Sequence, residues 1–157
     1  MRYLAVILTL VLSIPLLACL GQDRRTEQEQ KLLRRLQGLW RLTEAAGKRP
    51  DGKVDKTAFA KGPIWMIHKN FLYFHDDYGN PRSIRLEIDA SSEPVRVDLI
   101  EQPDLEKPAF CLLGILSLEK DRLYICYHHK LRPQSFDLKD EADFTRMWIF
   151  ERFKEQD

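Results

Sequence analysis

The chain holds 157 residues, 44% hydrophobic and 31% charged, with 25 Lys and Arg against 24 Asp and Glu. That length suits one domain around a single core, and the composition excludes collagen-like, low-complexity and wholly disordered chains. Arg2 is the one charged residue before Asp23, so the remainder carries 24 basic and 24 acidic residues and has no basic excess to attract nucleic acid.

Residues 1–21 read as a secretory signal. Met1-Arg2 gives a positive start, Leu4 to Leu17 is an apolar run broken only by Thr9, Ser13 and Pro15, and small residues follow. The run is short for a membrane span, which takes roughly 20 apolar residues. Leu16-Leu17-Ala18-Cys19 resembles a bacterial lipoprotein box, in which a cut before Cys19 would leave that residue acylated. Ordinary cleavage after Gly21 and retention as an uncleaved anchor are the alternatives. All three put the domain outside the cytoplasm, periplasmic, secreted or tethered, with membrane contact only through the leader or the lipid on Cys19.

Residues 22–30 form a linker and the start of a helix, and residues 31–157 form the domain. Thr26 with Glu29 has the form of a capping box, Leu32, Leu33 and Leu36 make an apolar stripe, and Gly38 is expected to stop the helix. From Leu39 the period changes to two. Leu39 to Ala45 is the first strand. Ile64 to His68 and Phe71 to His75 flank a tight Lys69-Asn70 turn. Ile84, Leu86 and Ile88 alternate with polar residues, as do Val95, Val97 and Leu99. Phe110 to Leu118 meets Leu123 to Tyr127 across a turn at 119–122, and Met147 to Phe153 is last. Two charge-rich stretches, 47–61 and 130–143, read as loops. About eight strands joined by short turns predict an all-β sandwich or barrel.

The hairpin register bears on Cys111 and Cys126. With the turn centred on Lys120-Asp121, Ile115 faces Cys126 and Lys130 faces Cys111. The two thiols then sit on one face about 13 Å apart, beyond disulfide reach. Two unpaired, half-buried thiols are expected, with a bulge-shifted bridge as the alternative.

A helix ending in Gln37-Gly38-Leu39-Trp40 ahead of meandering strands resembles the lipocalin-like barrels with their Gly-x-Trp start. Further along come Val97-Asp98-Leu99, then Leu113-Gly114-Ile115 with Leu118, Asp121, Leu123 and Cys126. Arg132-Pro133, Ser135-Phe136 and Phe150-Glu151-Arg152 complete the order. The combination is similar to a family of small exported domains of unknown function abundant in planctomycete bacteria. Lys120 stands where that pattern usually has Gly. The resemblance implies an antiparallel, up-and-down, lipocalin-like barrel of about eight strands with a short N-terminal helix, and no established activity. It also implies that Gly38, Trp40 and Arg152 close one barrel end, with the Arg152 guanidinium over the Trp40 ring.

Chemistry-bearing clusters are sparse. His128 and His129 are neighbours on a strand and are expected on opposite faces. His68 and His75 straddle a hairpin near Asp76 and Asp77, yet no metal-ligand spacing accompanies them. Ser117, Cys126 and His128 share a face without a nucleophile elbow. No catalytic, metal or cofactor site is expected. The aromatics are numerous, and a packed interior with a helix over the outer face accounts for most of them. An eight-stranded barrel can also hold one small ligand, so Trp65, Tyr73, Tyr127 and Trp148 are the candidates for a small apolar or amphipathic partner. A filled envelope-interaction module is the rival expectation.

Overall fold

A computed structural model describes residues 26–101 and 110–154. The signal segment and Cys19 lie outside the described residues. Thr26 Oγ1 accepts the Glu29 N–H at 3.2 Å while the Glu29 carboxylate accepts the Thr26 N–H at 2.8 Å. This box opens helix α1, Glu27–Leu36. The helix ends at Leu36, and Gly38 turns the chain with a φ of +114° that side chains disfavour.

Nine strands follow: β1 Gly38–Lys48, β2 Val54–Ala58, β3 Ile64–His68, β4 Phe71–His75, β5 Pro81–Asp89, β6 Val95–Glu101, β7 Phe110–Glu119, β8 Arg122–His128 and β9 Arg146–Arg152. All pairings are antiparallel, and β1 bonds to β9 to close the sheet. The result is the expected closed barrel with eight strand positions. Strand β2 corrects the reading of 47–61 as a loop. Its residues are almost all exposed, so it lacks the alternating buried face by which a strand is recognised. Strands β3 and β2 share one edge of β1, pairing with Gly38–Arg41 and Glu44–Lys48 respectively. Between them the chain presses on β1 so closely that a Cβ at Gly62 would lie 1.8 Å from the Leu42 carbonyl oxygen.

Inward-facing side chains make one core: Leu42, Trp65, Ile67, Leu72, Leu86, Leu99, Leu116, Ile125 and Phe150 among them. Helix α1 does not cover an outer face. It sets Leu33 and Leu36, both buried, at one barrel end, where Leu36 joins this core. The outer cover comes from the 130–143 segment instead. Leu138 and Phe136 pack over Ile115, Cys126, Met147 and Ile149, an apolar patch on the outside of β7, β8 and β9. Charge holds this segment down. Arg132 bonds Asp98 at 2.5 Å and the Gly114 carbonyl at 2.7 Å, and Lys48 Nζ donates to the Lys139 and Glu141 carbonyls at 2.9 and 2.6 Å. A stretch that reads as a charged loop is thus a strap, and its charges are its fasteners.

Arg152, Trp40 and Gln37 meet at the helix end of the barrel. The Arg152 guanidinium lies 4.2 Å from the centre of the fully buried Trp40 ring. It also donates to the Gln37 carbonyl at 2.8 Å and the Arg35 carbonyl at 2.5 Å, capping the last turn of α1. Trp40 Nε1 donates to the Leu36 carbonyl at 2.8 Å. Gly38 leaves the room, since a Cβ there would meet Arg152 Nη1 at 3.3 Å. A cation–π contact contributes about 0.5–2 kcal/mol and hydrogen bonds from a charged donor about 1.5–3 kcal/mol each. The Arg152 side chain is 25% exposed, which screens these contacts, so Arg152→Ala is expected to cost about 2–4 kcal/mol in denaturant melts. Arg152→Lys should recover less than half of it, because an ammonium cannot stack flat and fork to two carbonyls. An unchanged midpoint in the Ala variant would refute this closure.

Candidate functional site

Three of the four candidate aromatics meet inside the barrel. Trp148 lies 4.5 Å from Tyr127 and 5.0 Å from Trp65, ring centre to ring centre. Phe74 stacks on Trp65 at 4.6 Å, and Phe150 approaches it at 5.1 Å. The fourth, Tyr73, is misplaced by the sequence reading. It pairs with Met66 on the outer face and is exposed, because Leu72 and Phe74 take the inward positions of β4. The inward rings pack on one another, so the deep barrel is filled by side chains.

Open space lies at the mouth opposite α1, where β1 and β8 end and β9 begins. Two clefts adjoin there. One of about 390 Å³ is bounded by Leu112, Tyr127, His128, His129, Phe144 and Arg146. The other, about 340 Å³, runs from Ala45 past Asp55 and Thr57 to Tyr127, Phe144 and Trp148. Tyr127, Phe144 and Arg146 border both. Phe144 is 54% exposed and holds a φ of +67°, a strained conformation for a bulky residue, fixed by its N–H donating to the Lys48 carbonyl at 2.9 Å. Trp65 Nε1, buried among the rings beneath, has no hydrogen-bond partner among the described residues. Burial pushes the Tyr127 phenol well above its ordinary value, with Arg146 partly opposing. A larger cleft of about 510 Å³ lies among Arg41, Glu151, Arg152, Phe153 and Lys154. Its cations are already engaged: Arg152 in the closure, Lys154 with Asp121 at 2.8 Å, and Arg41 over the Phe153 ring.

No family model, curated protein or solved structure matches this chain. The site is therefore read from its own geometry.

The remaining candidates have structural partners. Asp76 accepts from Tyr78 N–H and from Asn80 N–H and Nδ2, closing its own turn. Those bonds, the Asn80 N–H foremost, hold its carboxyl below the usual range. His68 and His75 are exposed on the outer face, and no group of three or more metal-ligating side chains occurs among the described residues. Cys111 and Cys126 are free, in the register expected, with Ile115 opposite Cys126. They are not both half-buried: Cys111 is exposed, while the strap buries Cys126 and pushes its thiol up to about 12. A thiol so disfavoured as thiolate is a poor nucleophile.

The histidine pair also departs from expectation. The His128 and His129 rings are 4.3 Å apart rather than on opposite faces, because β8 ends at His128 and strand alternation ends with it. Nδ1 of the buried His128 accepts from Lys130 N–H at 3.1 Å and Leu131 N–H at 2.9 Å, which fixes a neutral ring where the strap begins.

Sequence reasoning missed Phe144 and Arg146 as mouth residues. A bulky aromatic in an otherwise polar stretch was the available signal for Phe144. Arg146 opens a strand that was expected to start at Met147, and nothing in its neighbours marks it.

His128 gives the pH prediction. Burial foremost, then the adjacent His129, holds its pKa below the ordinary 6.5. The unfolded chain therefore takes up a proton before the folded one does. Stability is complete above about pH 6.5 and falls as pH drops from there toward the folded value. Denaturant melts at pH 7.5 and 5.5 should show a larger acid loss in the native protein than in His128→Asn, whose amide oxygen remains an uncharged acceptor. Equal losses would remove His128 from the explanation.

Proposed function

We propose that the protein binds a small hydrophobic or amphipathic ligand at the barrel mouth and performs no chemistry on it. The observation that carries this reading is the pair of clefts sharing Tyr127, Phe144 and Arg146 over the Trp148 ring. Their sizes fall at the lower end of small-molecule sites, and an apolar wall with a few polar atoms is the usual composition of such sites. The strained, exposed Phe144 supports the same reading, since backbone strain persists where a side chain must be presented. The leader supports a location outside the cytoplasm, free or tethered through Cys19.

A second reading has its own observation. Ile64, Met66 and Tyr73 are exposed on the outside of the β3–β4 hairpin, which suits a filled barrel that docks on an envelope partner through this face.

A neutral fluorescent probe, N-phenyl-1-naphthylamine, separates the two. Saturable enhancement is expected with the native protein. Phe144→Gly removes the ring and relaxes the positive φ, so it should weaken binding about fivefold without lowering the melting temperature. Absence of saturable binding would favour the interaction module.

A further inference from the structure

We infer that the mouth takes an anionic amphiphile, a single-chain carboxylate, with its head on Arg146 and Tyr127 and its chain against Trp148 and Phe144. This deepens the binding reading above and rests on it.

The register supplies the head site. Tyr127 and Arg146 are directly opposed across β8 and β9, which sets their Cβ atoms about 5 Å apart at the point where both strands reach the rim. The other Lys and Arg residues described as lining the two clefts are committed, and so is Arg82 beyond them. Arg49 pairs with Asp51 at 3.2 Å and Asp55 at 3.6 Å, Lys48 is spent on two strap carbonyls, and Arg82 pairs with Glu101. The Arg146 guanidinium makes no ion pair or hydrogen bond with a described residue. It borders both clefts.

Tyr127 supplies the second donor of the head site. It is 8% exposed, borders both clefts, and its hydroxyl has no hydrogen-bond partner among the described residues. The hydroxyl opens onto the clefts and is not sealed in the core, so an acceptor oxygen arriving there can take its hydrogen bond. One guanidinium and one phenol present planar donors to a group with two acceptor oxygens and a single negative charge. A carboxylate has that form. A phosphate dianion would leave one charge unmatched here, since Arg146 is the single uncommitted Lys or Arg among the residues described as lining the two clefts. Below the head, Trp148, Phe144 and Leu112 offer apolar surface to a chain, not to a small hydrophilic acid.

Dodecanoate and dodecanol test this at pH 8, below their aggregation limits, by quenching or shift of tryptophan emission from Trp65 and Trp148. The native protein should bind dodecanoate about tenfold more tightly than dodecanol, the factor expected of a charge-assisted head contact. Arg146→Gln should abolish that preference while leaving dodecanol binding unchanged, and Arg146→Lys should keep part of it. Tyr127→Phe, which retains the ring, should reduce dodecanoate binding severalfold. Equal affinity for both probes in the native protein would overturn the carboxylate assignment and leave ligand binding standing. A preference for dodecanoate that survives Arg146→Gln would overturn the head site. Binding of neither probe would overturn the binding reading itself.

Discussion

The contact on which the rest of the structure depends is the Arg152 guanidinium laid over the Trp40 ring. A single side chain there does three jobs. It covers an aromatic face, it caps the carbonyls of Arg35 and Gln37 at the end of α1, and it ties the last strand to the first. The sheet has no free edge at that seam because β1 and β9 pair along most of their length. The helix needs the same contact, since ten residues are too few to be stable alone and its buried leucines need a fixed floor.

Closing one end so tightly leaves the other to do something different. The interior above the floor is packed with rings, so a ligand has no central cavity to enter. At the far end the strands stop at different levels, a strained phenylalanine stands over the rim, and a tyrosine hydroxyl opens onto the clefts. The strap ties this end to the outer wall. It runs from His128, through Arg132 on Asp98 and Gly114, to Lys48 on Lys139 and Glu141, and returns at Phe144. The same segment that buries Cys126 therefore positions Phe144 at the mouth.

Much of the fold was legible in the chain. The Thr26–Glu29 box, the switch to a period of two at Leu39, and the turns at Lys69-Asn70 and Lys120-Asp121 are local signals, and the structure has each of them. Lys120 takes a left-handed φ of +51° in the second of these turns. Two arginines prove to be fasteners: Arg132 reaches Asp98 and Gly114, and Arg152 reaches Trp40. What could not be read was set by long-range packing. Strand β2 shows no alternation because its neighbours leave it exposed. Tyr73 faces outward because parity along β4 is fixed by Leu72. The rings of His128 and His129 meet because their strand ends between them. Arg146 belongs to the mouth only because β9 begins opposite the end of β8.

The account makes the two ends of the barrel unequal, one sealed by packing and one able to receive an amphiphile. Amide chemical-shift mapping of the ¹⁵N-labelled protein with dodecanoate tests that division directly. Perturbations should cluster at Ala45–Lys48, Thr57, Leu112, Tyr127–His129 and Phe144–Trp148, with Leu36–Trp40 and Phe150–Arg152 unmoved. Shifts centred on the Trp40–Arg152 end, or none at all, would contradict it.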